Sequence, residues 1–260
     1  LSLVGSEMCI RDRGFRARVA GLAAVIAADI CLAGVLAAVA AGGSSGGHAE
    51  NMIPEGPSAH LIVPVSSADD DSAASAPRFL ALTFDDGPHG EYTEFLLDGL
   101  RERGVKATFF LVGENIGGNE ELVRRMADEG HLIGVHCYSH QDLTRMTVEE
   151  ACGQIEKTAD LIEEITGKRP EYYRPPFGKG DGEMEDRLGM TPVLWDIDPR
   201  DWNVQNKNAV AAHIVKNAPR HRVALLHDVF KPSVEAALIV VDTLEAQGYT
   251  FVTADELEID

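Results

Sequence analysis

From Arg78 onward, short apolar segments alternate with longer amphipathic stretches, and this alternation restricts the fold more than any other feature of the chain. The apolar segments are rich in Val, Ile, Leu and aromatic residues, which is typical of short buried strands. Seven strands are predicted: Phe79–Phe84, Ala107–Val112, Leu132–His136, Tyr172–Arg174, Pro192–Ile197, Arg222–His227 and Thr250–Val252. Strands that alternate with helices imply right-handed crossovers, and therefore a parallel α/β sheet.

Three of the intervening helices have boundary signals in the sequence. They are predicted to run from Asn119 to Gly130, from Thr147 to Gly167 and from Pro232 to Gly248. Asn119 is suited to an N-cap, Thr147 and Glu150 have the spacing of a capping box, and Pro232 is favoured in a first helical turn. Each of the three stretches ends at a glycine, the residue that most often terminates a helix.

The composition argues against two classes of protein. Lys and Arg number 23 against 42 Asp and Glu, which gives a net charge of −19. A chain this acidic is not expected to bind nucleic acid by neutralising phosphates. Only four cysteines occur, at positions 9, 31, 137 and 152, so a disulfide-stapled fold is not expected either.

The segments before Arg78 are predicted to lie outside the folded domain. Residues 1–13 resemble translated sequencing-adapter read-through and are expected to be an artefact. Residues 14–41 are predicted to be a signal peptide or a membrane anchor, since the run Val19–Ala41 is apolar apart from Asp29 and comes after two arginines. A buried Ala-rich helix is the alternative. Residues 42–77 are rich in Gly, Ser, Ala, Asp and Pro, which predicts a flexible linker, and the domain after it is expected to be extracytoplasmic.

Polar residues follow five of the predicted strands. They are Asp85 and Asp86 after the first strand, His136 and His140 after the third, Arg174 after the fourth, Asp198 and Asp201 after the fifth, and His227 after the sixth. An open doubly wound sheet gathers its ligands at one switch point, whereas a closed barrel brings many strand ends to one mouth. Five contributing strands therefore favour a barrel.

His136 and His140 have the spacing H-x-x-x-H, which would place both imidazoles on one face of a helical turn. With one carboxylate they would supply an N,N,O ligand set for Zn²⁺ or a similar divalent ion. A solvated or packed helix face is the alternative for the pair. A metalloprotease H-E-x-x-H motif is excluded, because Cys137 follows His136.

The run from Thr83 to Pro88, TFDDGP, supplies two adjacent carboxylates. A plain turn at the end of a strand is one interpretation, since Asp-Gly and Gly-Pro both favour turns. Two adjacent carboxylates also repel each other, and a cation bound to one would relieve that repulsion and leave the other free to accept a proton. This interpretation assigns metal binding to one aspartate and the role of base to its neighbour.

TFDDGP, HCYSH, RPPFG, DPRDW and LLHD, in this order, resemble the five motifs of the polysaccharide deacetylases, carbohydrate esterase family 4. The resemblance extends from about Arg78 to Leu257 and implies that residues 78–260 form a catalytic domain with an irregular (β/α) barrel of seven strands. It implies one divalent metal ion, with zinc expected, bound by Asp86, His136 and His140. It further implies that Asp85 is the base and is oriented by Arg174, and that His227 is the acid and is held by Asp201.

The resemblance also implies that the backbone N–H of Phe177 faces the developing oxyanion. From their residue types, Trp202 and Phe177 could stack on sugar faces, and Trp202 and Leu225 are predicted to form part of the substrate groove. Aromatic residues at strand ends are also common in cores, so packing is the alternative for Phe177 and Trp202. The chain departs from the family at Cys137, where Ser or Thr is usual, and a thiol is a weaker hydrogen-bond donor than a hydroxyl.

Together these features predict a metal-dependent N-deacetylase that acts on N-acetylated hexosamine glycans, with peptidoglycan as the first candidate and chitin oligosaccharides as the second. An O-acetyl esterase acting on xylan and a glycan-binding pseudoenzyme are the alternatives. The expected partner is the glycan substrate, without nucleic acid, and any membrane contact is expected through the N-terminal segment alone. The polymer, the native metal and the oligomeric state stay open at this level.

Overall fold

The computed structural model of the protein describes residues 78–180, 182–220 and 222–257. The predicted hydrophobic helix within residues 14–41 and the predicted linker at 42–77 lie outside the described residues. Within the described ranges, no helix has both the length and the apolar character needed to cross a membrane.

The described strands form one seven-stranded sheet in which all pairings are parallel, so the predicted parallel α/β class is confirmed. The strands are β1 (Arg78–Asp85), β2 (Thr108–Leu111), β3 (Leu132–Val135), β4 (Tyr172–Tyr173), β5 (Thr191–Pro192), β6 (Val223–His227) and β7 (Tyr249–Val252). Their order is β5-β4-β3-β2-β1-β6, and β7 pairs with the first half of β1. The sheet is consistent with a (β/α) barrel.

The helices and turns surround this sheet. The helices are α1 (Tyr92–Arg103), α2 (Gly113–Ile116), α3 (Glu120–Asp128), α4 (Val148–Thr166), α5 (Gly182–Leu188), α6 (Asp201–Val204), α7 (Lys207–Asn217) and α8 (Lys231–Glu245). Short 3₁₀ turns lie at Leu143–Arg145, Pro176–Gly178 and Ala254–Glu256. The three predicted helices correspond to α3, α4 and α8.

The capping box predicted before α4 is present. The Thr147 hydroxyl accepts the Glu150 N–H, and the Glu150 carboxylate accepts the Thr147 N–H in return. Asn119 does precede α3, but its side chain makes no capping hydrogen bond, and its amide nitrogen donates to the Asn115 carbonyl. The start of α3 was therefore predicted correctly, and the capping role of Asn119 was wrong.

The core is built around β1, whose residues from Leu80 to Asp85 are all buried. Neighbouring strands flank β1, and Leu80, Leu82 and Phe84 lie in the main hydrophobic core, so β1 is a near-continuous apolar strand, as expected at the centre of a parallel sheet. Helices α1 and α8 pack closely against each other, because a Cβ at Gly99 would collide with the Leu238 side chain.

Strand β5 is shorter than the predicted Pro192–Ile197. The carbonyls of Val193 and Leu194 accept hydrogen bonds from the Arg174 guanidinium, so they are not available to a neighbouring strand. Beyond them, Ile197 forms an isolated bridge to Ala224 of β6. This segment therefore runs from the β4–β5 edge of the sheet to β6 at the other edge, as a barrel requires.

Candidate metal centre and active site

The structure brings the predicted polar side chains together at the carboxyl end of the sheet. This set is Asp85, Asp86, His136, His140, Arg174, Asp201 and His227. Asp85 ends β1 and His227 ends β6, and the two residues are direct partners in the register of these strands. His136 follows β3 and Arg174 follows β4, so parallel strand direction alone places their side chains at the same edge.

Asp86, His136 and His140 form a cluster whose ligand atoms lie within 4.8 Å of one another. Asp86 Oδ1 is 3.5 Å from His136 Nε2 and 3.4 Å from His140 Nε2. This oxygen is buried and has no hydrogen-bond partner among the described residues. Burying an unpartnered carboxylate oxygen is costly, and a cation between the three ligand atoms would remove that cost. The donor set of two imidazoles and one carboxylate therefore fits a divalent metal ion.

His136 is held in the tautomer that a metal ligand needs. Its Nδ1 lies 2.8 Å from the Arg174 carbonyl oxygen, and a carbonyl can only accept, so Nδ1 carries the proton. Nε2 is then left with its lone pair directed at the cluster, which is the usual arrangement around a bound metal ion. Burial lowers the pKa of His136, which also favours the neutral ring.

The two histidines do not lie on a helical turn, so the geometry predicted from their spacing was wrong. They lie in an irregular loop between β3 and α4. Within this loop Cys137 and His140 both adopt the left-handed region, with φ of 89° and 49°. Those two changes of backbone direction, rather than the helical period, bring the centres of the imidazole rings to 5.1 Å from each other.

Asp85 is fixed by the buried guanidinium of Arg174. Arg174 Nη1 lies 2.7 Å from Asp85 Oδ1, and the same nitrogen donates to the Thr83 hydroxyl at 2.8 Å. The other carboxylate oxygen of Asp85, Oδ2, lies 3.6 Å from His136 Nε2, on the side of the metal cluster. One oxygen of Asp85 is thus committed to the guanidinium, and the other faces the cluster.

Arg174 itself is fully buried, and each nitrogen of its guanidinium has a partner. Nε donates to the Val193 carbonyl at 2.8 Å, and the guanidinium carbon lies 4.2 Å from the centre of the Phe110 ring. Burial lowers the pKa of Arg174, and the charge of Asp85 acts in the opposite direction. A buried arginine with this set of partners can hold a carboxylate in one orientation.

His227 and Asp201 form a second hydrogen-bonded pair. Asp201 Oδ1 lies 2.8 Å from His227 Nδ1, and Asp201 Oδ2 accepts the backbone N–H of His227 at 2.8 Å. Burial alone would lower the pKa of His227, but the hydrogen bond and charge of Asp201, together with Asp85 and Asp86, outweigh it and raise the pKa to about 9. The ring is therefore positively charged at neutral pH.

The three residues predicted to contact substrate differ in exposure. Phe177 is 58% exposed and Trp202 is 53% exposed, and the Phe177 ring lies edge-on to His140 at 5.0 Å. Phe177 has a φ of 62°, in a tight turn closed by the hydrogen bond from Gly178 N–H to the Pro175 carbonyl. Leu225, by contrast, is buried within β6. Phe177 and Trp202 can thus meet a ligand at the mouth, while Leu225 lies beneath it.

Asp228, the last residue of LLHD, has a structural role that no sequence pattern indicated. Its carboxyl group is fully buried, accepts a hydrogen bond from the Thr93 hydroxyl, and has a pKa that burial raises to about 7. Gly87 packs directly against it, because a Cβ at Gly87 would collide with the Asp228 carboxyl group. Asp228 therefore supports the turn that carries Asp86. The Asn115 amide also stabilises this turn, because it donates a hydrogen bond to the Asp86 carbonyl at 2.7 Å.

A cavity of about 490 Å³ lies away from this cluster. Its lining includes residues that directly precede β3 and β4, among them Gly130, His131 and Pro170. Those residues are at the amino ends of the strands, so the cavity is not part of the candidate active site.

Comparison with known proteins gives a consistent result. The sequence profile described as Polysaccharide deacetylase matches residues 72–193. The peptidoglycan-N-acetylmuramic acid deacetylase PdaC of Bacillus subtilis (strain 168) is 37% identical over 209 residues, which are 80% of this chain and 44% of that protein. The peptidoglycan-N-acetylmuramic acid deacetylase PdaA of the same strain is 36% identical over 187 residues, 69% of this chain and 71% of that protein.

The solved structures agree with the sequence matches. The structure of peptidoglycan deacetylase PdaC from Bacillus subtilis superposes with a TM-score of 0.68 and 40% sequence identity, covering 70% of this chain and 90% of that one. This chain spans less than half the length of the curated PdaC protein and more than two thirds of PdaA. With the matched profile, these similarities establish that the chain belongs to the polysaccharide deacetylase family.

Proposed function

We propose that the protein is a metal-dependent carbohydrate N-deacetylase that acts on N-acetylated hexosamine units of bacterial peptidoglycan, with chitin oligosaccharides as a second substrate class. One observation carries the proposal: the metal-ligand cluster of Asp86, His136 and His140 lies at the carboxyl end of the sheet, beside the fixed carboxylate of Asp85 and with His227 on the neighbouring strand. Amide hydrolysis needs an electrophile, a base and an acid, and this arrangement offers one group for each. The two Bacillus relatives support the choice of peptidoglycan.

Zinc is the expected metal, because a site with two imidazoles, one carboxylate and open positions is a common catalytic zinc arrangement. When bound, the ion would polarise the acetyl carbonyl and acidify a water molecule. Asp85 is placed to accept the proton from the attacking water. Arg174 occupies Oδ1 of Asp85, which leaves Oδ2 facing the cluster.

His227 supplies the proton that the leaving amine needs. Its Nδ1 is bonded to Asp201, so Nε2 is the nitrogen available to substrate. The hydrogen bond and charge of Asp201 raise the pKa of His227, which favours the protonated ring at neutral pH. The Phe177 N–H would stabilise the developing oxyanion, and the exposed Trp202 ring offers a face on which a sugar can stack.

We also propose that the enzyme works outside the cytoplasm, tethered or secreted through residues 14–41. The support is the basic and apolar pattern of that segment, followed by a linker-like composition. An externally added protease that releases the domain from intact cells would agree with this location. Protection of the domain until lysis would contradict it.

The test of function is acetate release by the purified protein from peptidoglycan, chitin oligomers and acetylated xylan, each with and without a chelator. Chelator-sensitive release from peptidoglycan is the expected result. Release from acetylated xylan alone would favour an O-acetyl esterase. Binding to glycan without release from any of the three would favour a non-catalytic binding protein.

Two isosteric variants of adjacent residues test the division of roles. Asp85→Asn removes the proton acceptor, so it should keep its metal and lose activity by about a hundredfold to ten-thousandfold. Asp86→Asn removes an anionic ligand, so it should lose metal first and regain part of its activity when excess metal is added. Metal content by mass spectrometry and acetate release separate the two outcomes. If the Asp85 variant lost its metal and the Asp86 variant kept it, the roles would be exchanged.

A further inference from the structure

The loop that carries both histidines, here called the metal loop (residues 136–142), contains a strained backbone. Cys137 and His140 have φ of 89° and 49°, in the left-handed region that favours glycine. Side-chain-bearing residues persist in this region only when surrounding contacts hold them there. The metal loop therefore needs partners outside itself to keep His136 and His140 at their observed separation.

Gln154, in the second turn of α4, is such a partner. Its Oε1 accepts three hydrogen bonds from the metal loop: from the Ser139 hydroxyl at 3.0 Å, from the Ser139 backbone N–H at 3.2 Å and from the Cys137 thiol at 3.4 Å. These donors come from residues between the two histidines. A single side-chain oxygen on a regular helix of 19 residues thus accepts three hydrogen bonds from the strained segment.

The carbonyl groups of the same segment are fixed from other directions. Cys137 O accepts from the Thr158 hydroxyl and from the Gly113 N–H, each at 3.1 Å. Tyr138 O accepts from the Glu114 N–H at 2.9 Å. These contacts hold the first half of the metal loop, whereas Gln154 also holds Ser139, the residue directly before His140.

We propose that Gln154 is a positioning residue for the metal centre, which sets the position of His140 relative to His136 without contacting the ion. The inference rests on the proposed metal-dependent function and adds a residue outside its motifs. It also accounts for Cys137. The weak thiol donor makes only the longest of the three hydrogen bonds to Gln154 Oε1. The other two come from Ser139 and do not depend on the residue at position 137.

The test compares two substitutions of Gln154 in the full chain. Gln154→Met keeps the length of the side chain and removes the acceptor, whereas Gln154→Glu keeps an acceptor at the same position. Zinc affinity is measured by chelator competition, and the visible absorption of the cobalt-substituted protein reports ligand geometry. Gln154→Met should weaken zinc binding by about tenfold or more and alter the cobalt spectrum, as is typical when a group that orients a metal ligand is lost. Gln154→Glu should bind zinc at least as tightly as the parent.

Glu164→Met, an exposed change on the same helix, is the matched control and should leave zinc affinity and the cobalt spectrum unchanged. Thermal unfolding of the metal-free variants identifies any that fail to fold. If Gln154→Met is one of them, the zinc affinity of Gln154→Glu is compared with that of the parent instead. Cys137→Ser adds a coupling test, because a hydroxyl donates more strongly than a thiol. It should tighten zinc binding in the parent and have no effect in the Gln154→Met background.

A folded Gln154→Met variant with the zinc affinity and cobalt spectrum of the parent would overturn the inference and leave the proposed function standing. A parent protein that binds no divalent metal would overturn both. An equal effect of Cys137→Ser with and without Gln154 would also overturn the inference, since the two residues would then act independently.

Discussion

The buried His131 and the half-buried His227 lie at opposite ends of the parallel sheet, and their environments shift their pKa values in opposite directions. His227, at the carboxyl end of β6, has a pKa raised to about 9. His131, directly before β3 at the amino end, has a pKa that burial, assisted by the charge of Lys106, lowers to about 4. Each has a carboxylate neighbour, so the presence of a nearby acid does not explain the difference.

The contacts of the rings explain it. His227 Nδ1 is 2.8 Å from Asp201, whereas His131 Nε2 is 3.7 Å from Glu129, which is beyond hydrogen-bond distance. His131 Nδ1 also accepts the Ala107 N–H at 3.1 Å, and only an unprotonated nitrogen can accept. Burial therefore determines the charge of His131, whereas the direct bond to Asp201 outweighs burial at His227, which lies at the end of the sheet where chemistry is proposed.

The largest expected effect on activity comes from removing the hydrogen bond between Asp201 and His227. Asp201→Asn should lower the pKa of His227 and reduce acetate release by about a hundredfold to ten-thousandfold, because the amine would leave without an efficient acid. Glu129→Gln makes the same chemical change at the other end of the sheet and should leave activity unchanged. Rates of acetate release and NMR titration of the His227 ring check both variants. Equal losses in the two variants would mean that the effect is one of stability rather than of acid catalysis.

Protonation of His131, at the amino end of the sheet, should lower the free energy of unfolding. The pKa of His131 is about 4 when folded and about 6.5 when unfolded, so its contribution is fully present above pH 6.5 and is lost as the pH falls towards 4. A shift of this size corresponds to about 3 kcal/mol. His131→Asn retains an acceptor for the Ala107 N–H but does not titrate. Urea unfolding at pH 7 and pH 4.5 should therefore show a smaller acid loss in the variant than in the parent. The same acid loss in both would assign it to other groups.

The smallest effect concerns the cation near His131. Lys106 lowers the pKa of this histidine by charge repulsion, so Lys106→Met should raise it. The change should be modest, since Lys106 is exposed and water screens its charge. NMR titration of the His131 ring measures it, with the surface variant Lys207→Met as the control. An unchanged or lowered pKa of His131 in Lys106→Met would contradict the contribution of Lys106.

Much of the fold could be predicted, because its signals are local. The apolar run that forms β1 and the capping box at Thr147 depend on neighbours in sequence, and both appear where predicted. Strand β5 was predicted too long, because its carbonyls bond to Arg174, a partner from another strand end. A long-range contact of this kind cannot be predicted from the apolar sequence of the strand itself.

The same distinction holds for the candidate site. The carboxyl ends of neighbouring parallel strands lie side by side. The proximity of Asp85 and His227 could therefore be predicted from the strand ends alone. The geometry of His136 and His140 could not, because spacing cannot report the left-handed φ of Cys137. Gln154 left no signal either, since its role depends on how α4 packs against the metal loop.

The left-handed backbone at Asp86, with φ of 73°, has a consequence for protein design. Consecutive residues of a strand direct their side chains to opposite faces, so two adjacent aspartates in regular β structure could not both reach one metal cluster. Here the change of backbone direction at Asp86 turns the second carboxylate towards the first, and Gly87 gives the turn room beside Asp228. Grafting the two aspartates onto a strand of another barrel would therefore transfer the residues without the site. The portable unit is the bend together with its glycine and the buried acid behind it.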